Sequence, residues 1–283
     1  MINKNNKIEL REIQSMELEL LKIVVSFCEE HNLRYFVTGG TLLGAVRHEG
    51  FIPWDDDIDI DMPDKDYLWL KENFNNLCTR ENIRLLAPNN KLEEYNGYIY
   101  PFIKIVDTRT FSVSEGIKDD NIGVHIDIFP LNGLPKYKAA IRIFVKFGKI
   151  IHKMNQLSNP VYLADKKIKR GDRIKVIIRK KIYTHFISRI FNNRRIRRIQ
   201  INHAFKYDYD NSARVGNIVW GNGMEHVNDR KSLVDFKVLS FEGIPVNVPG
   251  NFHEYLTIFY GDYMKPPPLE EQVSNHINEF YWK

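Results

Sequence analysis

The chain has only two cysteines in 283 residues, Cys28 and Cys78, and each stands alone inside an apolar helical pattern. Two isolated thiols argue against a disulfide-stapled fold and a cysteine zinc site, and favour core residues in a reducing compartment. The sequence has no run of about 18 apolar residues, so no spanning helix is expected. Because its first residues, MINKNNKIELREIQ, are polar, we expect neither a signal peptide nor an anchor. We therefore expect a cytoplasmic protein.

The sequence also lacks internal repeats and low-complexity linkers. Its composition, 43% hydrophobic and 27% charged, is that of an ordinary soluble globular protein. Strand-like segments in the first half and helical patterns in the second predict an α+β fold, a small mixed sheet flanked by helices. We expect a catalytic core over residues 1–135, a basic helical segment over 136–210, and a C-terminal part over 211–283 that packs back on the core.

Positive charge is concentrated in one segment. Residues 166–198 contain fourteen Lys/Arg against one Asp, a local charge of +13 that leaves the remaining chain at −8 for a net +5. Within it, 173–191 alternates isoleucines and cations near helical spacing, which is typical either of a helix on an anionic membrane or of a packed helix with a solvated basic face. Charge alone also fits nucleic acid, but no nucleic-acid-binding motif accompanies it, so we do not expect that partner.

Hydrophobic periodicity and turn residues predict the order of elements. The prediction is a helix over 8–31, a strand over 34–38, a helix over 41–48 capped by Thr41, a strand over 57–62, a helix over 64–77, strands over 98–108 and 122–131, mostly helix over 137–207, a strand pair near 241–249, and a helix from about 250 to Gly261.

The stretch FIPWDDDIDIDMP, residues 51–63, crowds five aspartates into seven positions. Residues that alternate along a strand share a face. The acidic face would hold Asp57, Asp59 and Asp61, and the core face Ile58, Ile60 and Met62. Asp127 also alternates with apolar residues, along the strand predicted over 122–131. If that strand pairs with the acidic strand, Asp127 would add a further carboxylate to the acidic face.

Two explanations fit so many neighbouring carboxylates. A solvated edge strand could use charge to discourage aggregation, although lysine would serve as well. A divalent cation such as Mg²⁺ takes carboxylate oxygens together with substrate phosphates, and it removes the repulsion between them. We favour the cation site.

The segment TGGTLL, residues 38–43, supplies a second feature. Gly39 and Gly40 would let the backbone approach an anion closely, and a helix starting at Thr41 would direct its free N–H groups at that anion. Such a turn some fifteen residues before a D-x-D strand predicts a metal and phosphate site.

The segment YFVTGGTLLGAVRHEGFIPWDDDIDIDMP closely resembles the signature of the LicD family, which fukutin-type proteins share, and the likeness continues in HIDIFPLNGLP and YGDYMKPPP. The resemblance implies a nucleotidyltransferase-type fold. It also implies transfer of a phospho-substituent, typically phosphocholine, from a CDP-activated donor to a cell-surface glycan. The implied metal ligands are Asp57, Asp59 and Asp127, and Asp55 matches a further functional acidic position.

On this interpretation, Mg²⁺ or Mn²⁺ holds the donor pyrophosphate while a sugar hydroxyl attacks and CMP leaves. Gly39, Gly40 and Thr41 would cradle a phosphate. Arg47 and Lys104 are candidate phosphate cations, with an ordinary surface charge as the equal alternative. Asp55 or Asp127 could accept the hydroxyl proton.

The quaternary ammonium of choline favours aromatic faces. Trp54, Trp220 and Tyr263 could therefore wall a choline pocket, although core packing explains each of them as well.

The predicted acceptor is a glycan precursor of a polysaccharide, teichoic acid or lipopolysaccharide, carried on a lipid at the inner face of the membrane. Residues 166–198 would then meet the anionic membrane surface. Rival predictions keep the chemistry but use CDP-glycerol or CDP-ribitol, or describe a nucleotidyltransferase that releases pyrophosphate. A basic module that binds RNA or membrane is the rival from another class.

Overall fold

The computed structural model describes residues 6–88, 98, 100–114, 117–158, 193–274 and 279–283. Its helices are α1 (Leu10–Glu30), α2 (Gly39–Arg47), α3 (Asp64–Leu77), α4 (Lys138–Ser158), α5 (Asn193–Ala204), α6 (Arg230–Val234) and α7 (Phe252–Tyr260). Its strands are β1 (Phe36–Val37), β2 (Asp59–Pro63), β3 (Ile83–Leu86), β4 (Ile103–Asp107), β5 (Thr110–Ser114), β6 (Ile117–Asp119), β7 (His125–Gly133), β8 (Arg214–Gly216), β9 (Val227–Asp229), β10 (Lys237–Phe241), β11 (Ile244–Val248) and β12 (Glu279–Trp282). The predicted α+β class is confirmed.

The main sheet has the strand order β1-β2-β7-β4-β3, and β8 and β9 continue from the end of β7. β2 and β7 are parallel, whereas β1 with β2, β4 with β7 and β3 with β4 are antiparallel. β10 and β11 form a separate hairpin, and β6, β5 and β12 form a third small sheet. The acidic strand β2 therefore lies inside the main sheet, so the edge-strand explanation of its aspartates is wrong.

The core lies on the apolar face of the acidic stretch. Ile58, Ile60 and Met62 are fully buried, as their alternation predicted. They join Leu21 and Val24 of α1 in the largest hydrophobic cluster of the described residues. Burying side chains of this size contributes about 1.5–3 kcal/mol each, which fixes the register of β2 and hence the direction of its aspartates.

Two predicted boundaries were wrong near the aspartates. α2 begins at Gly39, with Thr38 as its extended N-cap, so Thr41 is a buried residue inside the helix and not its cap. The earlier start is possible because Gly39 adopts a φ of +57°, which glycine tolerates. β2 begins at Asp59, so Asp57 lies in the loop before the strand.

The secondary-structure predictions for residues 137–207 and for the C-terminal strand pair and helix agree with the described residues. α4 and α5 are helical at the two ends of the basic middle, and residues 159–192 lie outside the described residues. The predicted strand pair is the β10–β11 hairpin, and α7 ends at Gly261 as expected. The hairpin packs on the first half of the chain, for example through Phe241 against Phe51, whose ring centroids lie 4.9 Å apart.

Candidate active site

Three neighbouring strands place two carboxylates and a cation in a row. In the parallel β2–β7 pair Asp59 lies directly beside Asp127, and in the antiparallel β4–β7 pair Lys104 lies on the other side of Asp127. Neighbouring strands are about 4.8 Å apart, so these side chains meet on one face of the sheet. Asp59 and Asp127 are both half-buried.

Lys104 is enclosed and ion-paired. Its Nζ donates to Asp127 Oδ1 at 2.6 Å and Oδ2 at 2.9 Å, and lies 2.7 Å from His125 Nε2. His125 Nδ1 lies 2.7 Å from the Gly123 carbonyl, to which it donates, so Nε2 accepts from the lysine. Lys104 is 4% exposed, so it is not an ordinary surface charge.

The loop that carries Asp55–Asp57 is held from two directions. The Gln14 side chain of α1 donates to the Asp55 carbonyl at 2.8 Å. The Ser274 hydroxyl, near the end of the chain, donates to Asp56 Oδ1 at 2.7 Å. Asp56 is buried, whereas Asp55 and Asp57 remain half-exposed. The carboxylates of Asp55 and Asp57 are therefore accessible from solvent, whereas that of Asp56 is not.

The start of α2 lies against the carboxylates. A Cβ atom added to Gly40 would lie 2.6 Å from Asp55 Oδ2, and one added to Gly39 would lie 3.1 Å from Asp59 Oδ2. The Thr41 hydroxyl accepts from the Asp59 backbone N–H at 2.8 Å, and the Thr38 N–H donates to the Asp59 carbonyl at 3.1 Å. The two glycines therefore let the start of α2 approach the Asp55 and Asp59 carboxylates closely, and the two threonines fix the backbone of Asp59.

Glu17 of α1 belongs to the same cluster and was missed by the sequence prediction. Its side chain is 1% exposed, and its Oε2 has no hydrogen-bond partner in the described part of the chain. Burial raises the pKa of Glu17 well above its ordinary value, and the charges of Asp57, Asp56, Asp55 and Asp127 raise it further. The available signal was a glutamate inside the apolar stripe of a helix.

The cluster has more negative charge than its surroundings readily solvate. Burial raises the pKa of Asp59 well above its usual range, the charges of Asp57, Asp127 and Asp61 add to this, and Lys104 opposes it. Burial also raises the pKa of Asp61 to about 7, although Asn217 donates to it at 3.1 Å. A cation or a cationic ligand would relieve this repulsion.

The carboxylates open into a cleft of about 690 Å³, which is within the usual size of small-molecule sites. Its lining includes Gly40, Arg47, Trp54, Asp55, Asp57, Asp59, Tyr260, Asp262, Tyr263, Lys265 and Glu271. A groove of about 680 Å³ on the outer side of α1 is lined by none of the predicted site residues.

Two aromatic residues predicted for a choline pocket, Trp54 and Tyr263, lie in the cleft lining, and Tyr260 joins them. Burial raises the pKa of Tyr260 to about 12, and Asp59, Asp55 and Asp57 add to this shift. Trp220 instead packs on Phe102, with ring centroids 5.0 Å apart. Among the residues that the structure describes, it is not one of those that line the cleft.

Arg47 also lines the cleft. Its guanidinium donates to His48 Nε2 and to the Tyr263 carbonyl, each at 2.9 Å. These two bonds fix the arginine between α2 and the segment after α7, so it holds positive charge beside the acidic wall.

The donor set fits a hard cation in its chemistry. Mg²⁺ prefers carboxylate oxygens, and both the crowded aspartates and the unpartnered Glu17 Oε2 are of this kind. Across residues 6–88, 98, 100–114, 117–158, 193–274 and 279–283, however, no three Asp, Glu, His or Cys side chains already stand around one point at metal-binding distance. The carboxylates are thus gathered, but they do not form a closed cage.

Comparison with known proteins connects this site to a family. The profile of the LicD/FKTN/FKRP nucleotidyltransferase domain matches residues 32–139. The chain is 32% identical to the lipopolysaccharide cholinephosphotransferase LicD of Haemophilus influenzae over 97% of its own length and 98% of that protein. The chain belongs to the LicD family. It is accordingly a transferase.

Members of the LicD family include proteins with other named activities. Ribitol 5-phosphate transferase FKRP of mouse is 33% identical over 40% of this chain and 19% of its own length. The human FKRP protein is 48% identical over 15% of this chain. In the part of this LicD family member that the structure describes, no helix is both long and apolar enough to cross a membrane.

We expect Thr41→Val to destabilise the protein by about 1–3 kcal/mol, because the buried Asp59 N–H loses its acceptor. Thr41→Ser keeps the hydroxyl and should cost less. Urea unfolding would measure both free energies. Equal losses in the two variants would show that the hydrogen bond to Asp59 N–H is not what Thr41 contributes.

Glu17→Gln should raise the melting temperature at pH 8 by at least about 2 °C in buffer containing EDTA. Because the pKa of Glu17 is raised in the folded state, its destabilising effect is absent below the unfolded value of about 4.3 and grows as pH rises. The gain should therefore vanish near pH 4. Glu19→Gln, on the exposed side of the same helix, is the control, and an equal gain there would contradict the assignment.

Proposed function

We propose that the protein transfers phosphocholine from CDP-choline to a sugar hydroxyl of a cell-surface glycan precursor, with release of CMP. The observation that carries this proposal is the direct pairing of Asp59 with Asp127 beside a cleft that Asp55, Asp57 and Asp59 line. The full-length similarity to a lipopolysaccharide cholinephosphotransferase supports it.

In this proposal Asp57, Asp59 and Asp127 hold Mg²⁺ or Mn²⁺. When bound, the ion would neutralise the donor pyrophosphate and the charge that develops on the leaving group. Lys104 holds Asp127 in place and supplies a fixed positive charge beneath it. A carboxylate has about four lone-pair sites, so Asp127 keeps acceptor capacity beyond its bonds to the lysine.

Asp55 is our choice for accepting the proton of the attacking hydroxyl. It is half-exposed and lines the cleft, whereas both oxygens of Asp127 already accept from Lys104. Gly39, Gly40 and Thr41 act by placing Asp55 and Asp59 at the start of α2. Arg47 is positioned to meet a donor phosphate in the cleft.

The aromatic residues of the cleft lining favour choline among the activated donors. Trp54, Tyr260 and Tyr263 line it together with Asp262 and Glu271. Aromatic faces and carboxylates attract a quaternary ammonium group, whereas the uncharged polyols of CDP-glycerol and CDP-ribitol gain neither attraction. The same fold and chemistry with ribitol phosphate is the second candidate, because the chain is also similar to a ribitol 5-phosphate transferase.

The proposed acceptor is a lipid-linked precursor of polysaccharide, teichoic acid or lipopolysaccharide at the inner face of the membrane. The predicted contact of residues 166–198 with an anionic membrane falls mainly on residues outside the described ones, and it stays a prediction. The gathered carboxylates favour an enzyme over a basic RNA-binding or membrane-binding module with a degenerate site.

A ³¹P NMR time course with Mg²⁺ tests the donor and the reaction. CDP-choline, CDP-glycerol and CDP-ribitol are offered separately, with and without a glycan acceptor, and formation of CMP is followed. We expect consumption of CDP-choline, and loss of at least about a hundredfold in rate for Asp57→Ala, since even outer partners of metal ligands are worth about 10–100-fold. Glu29→Ala, an exposed carboxylate on α1, is the control.

Each outcome of that experiment is informative. Consumption of CDP-ribitol alone would retain the chemistry and replace the donor. Full turnover by Asp57→Ala would contradict the metal site. In a parallel sample that contains a nucleoside triphosphate instead of a CDP donor, release of pyrophosphate would favour a nucleotidyltransferase.

Tyr260→Ala should raise the KM for CDP-choline by roughly 5–30-fold, the equivalent of about 1–2 kcal/mol of cation–π attraction. Tyr260→Phe keeps the ring and should bind the donor nearly as the wild type does. Steady-state kinetics with CDP-choline measure both variants. Equal KM values for Tyr260→Ala and the wild type would place the choline group elsewhere.

A further inference from the structure

α4 has an apolar stripe on its outer side. Ile143, Phe147 and Ile150 are 72%, 53% and 48% exposed, and they follow one another at spacings of four and three residues. Residues at such spacings lie on one face of a helix. The opposite face of α4, which includes Phe144 and Val145, is buried against the protein. The helix is therefore apolar on both sides.

α5 extends this stripe. It packs along α4, where its His203 ring lies 5.4 Å from the Phe147 ring. Ile199, one turn before His203 on the same helix, is 53% exposed. We call Ile143, Phe147, Ile150 and Ile199 the apolar ridge. Exposed apolar clusters of this kind mark interaction sites in soluble proteins.

The helices that carry the apolar ridge are strongly basic. α4 contains five Lys/Arg and α5 contains four, and neither helix contains an Asp or a Glu. Lys146 and Lys149 are exposed beside the ridge, and Lys149 also lies 3.9 Å from Glu225. A partner that binds this surface therefore has to provide both negative charge and an apolar environment.

We propose that the apolar ridge inserts into the headgroup region of an anionic lipid bilayer while the surrounding lysines and arginines contact lipid phosphates. An anionic bilayer meets both requirements, since basic amphipathic surfaces bury their apolar side chains at the boundary between headgroups and acyl chains. RNA would satisfy the charges and leave Ile143 and Phe147 in water. A neutral protein surface would satisfy the ridge and leave the cations unpaired.

α4 starts five residues after the end of β7, and one residue of that connection adds to the surface. Tyr137, directly before the helix, is 70% exposed, and tyrosine is enriched at membrane interfaces. Membrane binding would bring the protein to a lipid-linked acceptor, and this role rests on the proposed function. The binding itself requires no donor.

Vesicle flotation tests the proposal on the full-length protein without any nucleotide. The wild type should float with vesicles of phosphatidylcholine and phosphatidylglycerol, and remain in solution with phosphatidylcholine alone. The double variant Ile143→Ser/Phe147→Ser should lose at least about tenfold in partitioning, because both apolar anchors are removed. The control is Val238→Ser, which changes an equally exposed valine on β10, 63% exposed.

A second variant, Lys146→Gln/Lys149→Gln, should weaken binding at low salt, and added salt should weaken binding of the wild type. Equal flotation of the wild type and the serine variant would overturn the proposal, as would failure of the wild type to bind. A melting temperature several degrees lower in the serine variant would show that the chain itself covers the ridge. A wild-type dimer that the serine variant abolishes, with no flotation, would assign the ridge to a second copy.

The two assays separate the proposals. Loss of flotation with normal turnover of CDP-choline on a soluble acceptor would leave the proposed function intact. Normal flotation without any donor turnover would leave the membrane surface and remove the reaction.

Discussion

Repulsion between carboxylates at the β2–β7 pair is the constraint on which the rest of the structure depends. Asp59 and Asp127 lie side by side because the two strands pair in parallel at that register. The register in turn is held by Ile58, Ile60 and Ile128, which are fully buried on the other face. Apolar burial therefore holds together charges that would separate if the strands were free.

Two distant segments compensate this repulsion. Lys104 places a buried ammonium group on Asp127, and Asn217 donates to Asp61. Even so, the pKa of Asp59 stays raised by burial and by the neighbouring aspartates. The site is therefore charged but under-compensated, which is the condition in which binding of a cation gains most.

Much of the site could be predicted from the sequence because its parts are local. Alternation in DIDIDM identified both faces of the acidic stretch, and the two glycines marked the close approach of α2. Glu17 and the burial of Lys104 could not be predicted in this way. Glu17 meets the aspartates only through packing of α1 on the sheet, and Lys104 reaches Asp127 only through the β4–β7 register. The apolar stripe of α1 indicates that Glu17 is buried, but the contacts of both residues depend on long-range packing or strand pairing, which no local pattern encodes. The start of α2 was misplaced because a left-handed glycine can begin a helix earlier than the residue best suited to cap it.

The residues that line the cleft come from two parts of the chain, which differ in what they can recognise in the donor. The aspartates of the cluster lie within residues 32–139, the part that matches the domain profile shared by LicD and FKRP. In the proposed reaction they would contact only the pyrophosphate that all CDP-activated donors share. Tyr260 is the last residue of α7, and Asp262 and Glu271 follow it; all three lie outside that match. Similarity to the lipopolysaccharide cholinephosphotransferase runs over 97% of the chain and so includes this segment. Selection among donors is therefore expected to depend on Tyr260, Asp262 and Glu271. Exchange of these residues between relatives would change the head group that is transferred, while the chemistry stays the same.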